Sequence, residues 1–487
     1  MVVMIPTLAF KWIIPEIIVS LCALFILLLG AFSSGRVSRV VSGAVSLIGS
    51  AVALYFTCNL WNENLSLFNN LYTIDNFGTF FKAVFLIISI LISIISLRYI
   101  EREDIKLPEY YSLLLFGVLG MMVMTSSTNF ITIFIGLEVM SIAIYVLCGL
   151  LRENAKSVEA SLKYFLLGAF ATAFLLYGMA LVYGTTGVLD IGEIRDYVTS
   201  GNFYLTPMFV AGLAFLIVGF GFKTASVPFH MWTPDVYEGA PTSVTAYMAT
   251  GVKAAAFGAF LRVFYTALFP FIESWSAILW IIAVFTMTVG NITALVQDNV
   301  KRMLAYSSIA HAGYLLVAFV TGDRVLAGSS ILYYLLVYTF MNIGAFTVVI
   351  LLGKNGAENT DIESYAGLAK RHPFIAFSMS LFLLSLAGIP PLAGFMGKFY
   401  VFSAAIKAQY YWLAVIGVLN SAVAAYYYLR VMMYMYFKEA VGEPVEVDLS
   451  PAYIVVILIS VWVILHMGIF PREFLLIAQK SVGIFFI

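Results

Sequence analysis

Gly219-Phe220-Gly221-Phe222-Lys223 and Gly394-Phe395-Met396-Gly397-Lys398 are two versions of one phrase. Each sets a lysine inside an apolar stretch long enough to lie in a bilayer. Proline punctuates both: Pro228 follows the first lysine, and Pro390-Pro391 precede the second. Proline removes a backbone donor and breaks a helix. In a membrane the freed carbonyls must find partners in protein or water. A broken helix beside a buried lysine therefore predicts a small hydrated cavity. Upstream, Leu162-Lys163-Tyr164-Phe165-Leu166 pairs in the same way with Leu332-Tyr333-Tyr334-Leu335-Leu336. Two copies of one unit follow from these matches.

The unit is sized with the rule that about 20 apolar residues cross the hydrocarbon core. By that rule about fourteen candidate spans lie near 12–32, 38–60, 77–98, 109–126, 129–150, 158–184, 207–231, 241–268, 275–297, 301–321, 327–352, 372–406, 409–437 and 452–470. Spans 4–8 and 9–13 form two five-helix repeats. Five is odd, so the second copy enters from the opposite side and the repeat is inverted, a transporter plan. The expected fold is an all-α polytopic membrane protein with one broken helix per repeat. The expected divisions are 1–108 for helices 1–3, 109–270 for the first repeat, 271–438 for the second, and 439–487 for helix 14 and the tail.

Composition agrees. Of 487 residues, 62% are hydrophobic and 11% charged, against about 25% charged in soluble proteins. Lys plus Arg and Asp plus Glu are both 26, so nothing points to nucleic acid. Cys22, Cys58 and Cys148 sit in or beside apolar runs without CxxC spacing, so no disulfide framework or metal site is expected. The first apolar run carries Glu16 and lacks a basic leader and a small-residue cleavage site. It reads as the first membrane helix, not as a cleaved signal. Thirteen basic residues fall in loops after odd-numbered spans (Arg36, Arg39, Arg98, Arg102, Lys106, Arg152, Lys156, Lys301, Arg302, Lys354, Lys370, Arg371 and Lys438). Six lie on the other side (Lys11, Arg195, Arg324, Lys407, Arg472 and Lys480). Basic loops stay cytoplasmic, which puts both termini on the outer face of what is expected to be a bacterial plasma membrane. Loop 7–8, with Asp235 and Glu238 and no base, breaks the pattern.

The chemistry should lie in the intramembrane ionisable residues, which are costly and mark ion paths. Glu138, in Phe134-Ile135-Gly136-Leu137-Glu138, reads as a counter-charge for a nearby lysine; its alternative is a structural salt bridge. Lys223, Lys253 and Lys398 read as proton-binding groups. Lys253 sits among small residues that allow close packing, facing the interior. Lys163 is nearer a helix end, where snorkelling competes with a tuning role through attraction to Glu138. His230, seven residues after Lys223, shares its helical face, although Pro228 bends the path between them, and His311 lies among hydroxyls. Both are possible relays, with structural histidines as the close alternative. Lys82 reads as snorkelling, and Arg262 and Arg430 as end anchors.

Two longer motifs carry a resemblance. Lys223-Thr224-Ala225-Ser226-Val227-Pro228-Phe229-His230-Met231-Trp232-Thr233-Pro234-Asp235-Val236-Tyr237-Glu238-Gly239-Ala240-Pro241 and Asp298-Asn299-Val300-Lys301-Arg302-Met303-Leu304-Ala305-Tyr306-Ser307-Ser308-Ile309-Ala310-His311 resemble signatures of the antiporter-like membrane subunits of respiratory complex I. The resemblance covers essentially the whole chain. Trp232 to Tyr237 is similar to the N-type wording, the chain ends soon after span 14, and Lys398 stands where the M type has a glutamate.

The resemblance implies proton translocation coupled to quinone reduction in partner subunits. Glu138 and Lys163 would be the coupling pair, Lys223 the first channel lysine, Lys253 the connecting lysine, and Lys398 the second half-channel group. It implies neighbouring antiporter-like and small membrane subunits as partners. Quinone, flavin and iron–sulfur clusters would belong to partners, none to this chain. No second-repeat carboxylate matches Glu138, so the halves cannot work identically. Open alternatives are a multi-chain sodium/proton antiporter subunit, the equivalent subunit of a membrane hydrogenase or related dehydrogenase, and a scaffold with dead channels. Lysines in both repeats argue against the last.

Overall fold

A computed structural model describes residues 10–33, 35–105, 107–201, 203–353, 358–439 and 447–486. Lys106 and Lys354, counted above among the loop bases, lie outside the described residues. In chain order the helices are α1 (Ile14–Phe32), α2 (Arg36–Cys58), α3 (Asn76–Arg102), α4 (Glu109–Ser126), α5 (Phe130–Cys148), α6 (Ala155–Thr186), α7 (Ile191–Thr199), α8 (Pro207–Lys223), α9 (Thr233–Gly239), α10 (Thr242–Tyr247), α11 (Lys253–Thr266), α12 (Ile272–Leu295), α13 (Val300–Val320) and α14 (Leu326–Leu351). They continue with α15 (Leu368–Arg371), α16 (Pro373–Ala387), α17 (Ala393–Lys407), α18 (Tyr411–Phe437), α19 (Pro451–Ile469) and α20 (Pro471–Ser481). One small antiparallel hairpin, β1 (Leu65–Leu67) with β2 (Tyr72–Ile74), joins α2 to α3.

Among the described residues, 12 helices are long and apolar enough to cross a membrane. Two shorter apolar helices, α8 and α16, accompany them. Both are short because the chain breaks beside a proline: α8 stops at Lys223 before Pro228, and α16 stops at Ala387 before Pro390-Pro391. Each break contains a cis X-Pro bond.

The run from Thr242 to Thr266, which holds α10 and α11, is buried along its length. A π-helical segment, Met248–Val252, joins α10 to α11 and leads directly into Lys253. Such a segment shifts the helix register and is frequent at functional sites.

Two sets of contacts recur 170 or 171 residues apart. A Cβ on Gly120 would stand 2.4 Å from Met140 N and 2.6 Å from Gly136 O. On Gly290 it would stand 2.7 Å from Ala310 N and 3.0 Å from Tyr306 O. Thus α4 lies on α5 as α12 lies on α13, with glycine allowing backbone approach. Asn129 caps α5 and pairs with Asp190; Asn299 caps α13 and pairs with Asp361. Backbone bonds flank both pairs alike, Phe130 N to Leu189 O and Val300 N to Thr360 O.

Burial corrects two expectations at the opposite edge. Lys82 does not snorkel: it is buried against Glu16 at 2.8 Å, with the Tyr72 hydroxyl donating to the same carboxylate at 2.5 Å. The hairpin folds over this end of α3 and closes the route to the interface. Arg262 is no end anchor either. It forks onto Asp75 at 2.8 and 2.9 Å, donates to Thr125 O, and lies on the Phe77 ring. A planar guanidinium suits such a buried bidentate pair. Arg430, inside α18, bonds Asp298 and the Gln297 carbonyl in the loop that precedes α13.

Candidate functional site

The α8 break delivers Lys223 at the last helical position, fully inside the protein. Its Nζ donates to Ser141 Oγ at 2.8 Å and Tyr145 OH at 3.4 Å, both on α5. Gly168 of α6 makes room for that phenol, because a Cβ there would stand 2.1 Å from the Tyr145 hydroxyl. Glu138 lies one turn from Ser141 on the same helix. It is half-buried, and its Oε1 has no hydrogen-bond partner. Tyr164 stacks on Trp232, centroids 4.3 Å apart, and closes the other side of Lys223.

Lys253 donates to the Ser308 carbonyl and, at 2.5 Å, to the Ser308 hydroxyl, while lying over the Tyr338 ring. The phenols of Tyr237 and Tyr338 face the same serine. One helical turn on, His311 Nδ1 contacts Tyr334 OH at 2.6 Å and Nε2 contacts Tyr428 OH at 3.2 Å. Tyr428 in turn bonds Ser307. Lys398, after the second break, donates to Ala387 O at 3.0 Å and lies over the Tyr314 ring at 4.5 Å. Tyr314 accepts from Asn291, which also takes a bond from Tyr427.

Lys223, Lys253 and Lys398 are all buried, and none forms an ion pair among the described residues. Each ammonium is held by hydroxyls, carbonyls and aromatic faces alone. Buried charge is costly unless well partnered, and these three lysines have no carboxylate bonded to them among the described residues. His311 joins the set, lying within the field of Lys398 and Lys253.

Two expected members fall outside it. Lys163 does not pair with Glu138; it binds Glu159 at 2.6 Å and Asp235 at 3.0 Å and is partly exposed. Helical side chains lean toward their own N-terminus, and α5 and α6 are joined by a short turn that sets them antiparallel. Glu138 and Lys163 therefore lean in opposite directions. His230 does not share a face with Lys223, because α8 ends at that lysine and residues 224–232 are not helical. The His230 Nδ1 is buried without a partner.

Lys163 instead belongs to a charged network at one end of the bundle. Arg302 of α13 binds Asp235 at 2.7 Å and Glu238 at 3.0 Å, and Lys156 binds Glu238 at 2.8 Å. Burial pushes the Asp235 and Glu238 carboxyls up, but bonds from Lys163, Lys156 and Arg302 outweigh it and leave both below the ordinary value. The acidic loop that broke the charge pattern thus sits among bases of its own end. Beside it, Lys301 is buried on Glu358, a pair not foreseen from sequence. Lys301 looked like one more loop base, and Glu358 lies 57 positions away. Ser141, Tyr145 and Ser308 were also missed as partners. The 170-residue offset that links Asn129 to Asn299 would have found Ser308 opposite Glu138.

Residues 127–424 match the family described as "NADH:quinone oxidoreductase/Mrp antiporter, TM". The chain is 49% identical over 470 residues to NADH-quinone oxidoreductase subunit N of Trichlorobacter lovleyi, covering 96% of each. It is similar to a chain of respiratory complex I from Thermus thermophilus with bound aureothin, with 32% identity and a TM-score of 0.81 over 95% of this chain and 98% of that one. A chain of the Mrp complex from Dietzia shares the fold, with a TM-score of 0.85 at 18% identity over 97% of each.

Proposed function

The chain belongs to the NADH:quinone oxidoreductase/Mrp antiporter transmembrane family, and from that premise we propose that it is the N-type, proton-translocating subunit of an NADH-quinone oxidoreductase. It is a multi-pass membrane protein that works beside other membrane-arm subunits. Quinone, flavin and iron–sulfur chemistry belong to those partners, and this chain moves protons.

The observation that carries the reading is the row of buried, unpaired lysines, Lys223, Lys253 and Lys398, with His311 between the last two. Glu138 acts on Lys223, not on Lys163. A proton loaded on Lys223 is passed to Lys253, then through His311 and its tyrosines to Lys398. Moving one charge against 100 mV costs about 2.3 kcal/mol, and one unit of pKa is worth about 1.4 kcal/mol. Modest changes in the field around Glu138 are therefore sufficient per proton. Lys163 and His230 are assigned tuning and packing roles at the rim.

The finer architecture follows the same reading. Counting α8 as one crossing and the α16–α17 pair as another brings the total to about fourteen, split into 1–108, 109–270, 271–438 and 439–487. The repeated glycine contacts and the Asn129–Asp190 and Asn299–Asp361 pairs support two inverted five-helix repeats. The end bearing Lys156, Lys301 and Arg302 is cytoplasmic, both termini face outward, and the membrane is the bacterial plasma membrane. Identity to the subunit N relative favours this role over an Mrp-type antiporter, where the likeness is one of fold.

The test is quinone-coupled proton pumping in vesicles holding the whole complex, Lys223→Ala against wild type, with assembly checked on a native gel. Pumping and turnover should both fall by about tenfold or more in an assembled complex. Normal values for both would favour a scaffold.

A further inference from the structure

A cavity of about 840 Å³ opens at the basic end of the bundle, lined by Glu103, Lys156, Glu238, Ala240, Pro241 and Glu358 among others. Its inner wall is a compact polar node. Lys301 Nζ donates to Glu358 Oε2 at 2.7 Å and to Ala240 O at 2.8 Å. The other oxygen of Glu358 accepts from Tyr99 OH at 2.6 Å and from Thr242 N at 3.1 Å. The Lys301 side chain is 1% exposed and that of Glu358 17%. One partner thus touches the cavity and the other is sealed behind it.

The node sits at the outer end of two elements that lead to Lys253 or to its partner Ser308. Lys301 opens α13, and Ser308 lies seven residues further on, about 10 Å along the axis. Ala240 and Thr242 open the run that becomes α10, the π segment and Lys253. Tyr237 stands between the two, its phenol facing Ser308, while Thr245 Oγ1 donates to the Tyr237 carbonyl. A structural ion pair does not need an acid that lines a cavity and a sealed base on the same helix as Ser308, the residue that holds Lys253. A proton-uptake station does.

We propose that Glu358 and Lys301 form the cytoplasmic proton-uptake station for Lys253. Glu358 takes a proton from cavity water. Lys301, released from its counter-charge, gives a proton on its inner side to water leading to Tyr237, Ser308 and Lys253. The proton on Glu358 then returns to the Lys301 amine. One proton enters and one leaves toward Lys253, and both groups are reset. This rests on the proposed function, and Lys223→Ala serves as its control.

The experiment measures pumping in vesicles holding the whole complex with Glu358→Ala, Glu358→Gln and Glu358→Asp, with and without millimolar formate on the cytoplasmic face. Glu358→Ala and Glu358→Gln should each lose about tenfold in pumping rate, while Glu358→Asp keeps half or more. Formate, small enough for the cavity and able to carry a proton, should restore Glu358→Ala severalfold and leave Lys223→Ala unchanged. If Glu358→Ala does not assemble, Glu358→Gln, which still accepts both hydrogen bonds, is judged on loss and the aspartate on recovery. Full pumping in Glu358→Gln, or a loss that neither aspartate nor formate relieves, overturns the proposal. If Lys223→Ala pumps normally, the functional reading itself has failed, and that result is distinct.

Discussion

The surroundings of Lys223 and of Lys398 are built from matching positions and filled with different chemistry. At the 170-residue offset, Tyr164 corresponds to Tyr334, but Glu138 corresponds to Ser308, Ser141 to His311, and Gly168 to Tyr338. Around Lys223 there is a carboxylate with a free oxygen, a serine, and a glycine that admits one phenol. Around His311 and Lys398 no carboxylate is present among the described residues, and the space holds a histidine with Tyr334, Tyr338 and Tyr428. One scaffold thus holds a lysine near a carboxylate in one half and a hydroxyl–imidazole cluster in the other. Ser308, the counterpart of the missing carboxylate, is the residue that holds Lys253, so the asymmetry falls where the halves meet.

If the halves act in series, Lys398→Ala should reduce pumping as severely as Lys223→Ala, about tenfold or more in an assembled complex. Wild-type pumping in Lys398→Ala would break the equivalence. Restoring the symmetry should also do harm. Ser308→Glu puts a carboxylate beside Lys253 and holds it charged, and the pumping rate should drop about tenfold for each pKa unit added. An unchanged rate would mean that Lys253 need not give up its proton.

The contact equivalence has its own test in Gly120→Ala and Gly290→Ala. Either methyl meets backbone at 2.4 or 2.7 Å, so each should destabilise by about 1–3 kcal/mol, read as a lower melting temperature of the purified complex. A loss at only one position would make the likeness superficial. The smallest effect concerns pH. Asp235 and Glu238 have carboxyls held below the ordinary value, so their contribution is present above the usual carboxylate range and lost as pH falls through the lowered values. Glu238→Gln should therefore melt lower than wild type near neutrality, with the gap closing in acid. A gap independent of pH would assign Glu238 to packing.

Much of the fold was legible in the chain. Runs of about 20 apolar residues, the prolines after Lys223 and before Lys398, and the repeated glycine–lysine phrase are local signals, and a bilayer admits few answers to them. The lysines stood out for the same reason, since charge in hydrocarbon is too costly to be incidental. What could not be read was pairing. Lys82, Arg262 and Lys301 looked like interfacial bases, yet each is buried on an acid 66, 187 or 57 positions away: Glu16, Asp75 and Glu358. Glu138 and Lys163 looked like partners and lean apart. Sequence settles which segments enter the membrane and which ionisable groups go with them, because burial of a segment depends on its own composition. Only tertiary structure decides which charge meets which, because an ion pair depends on the depth, rotation and lean of two helices at once.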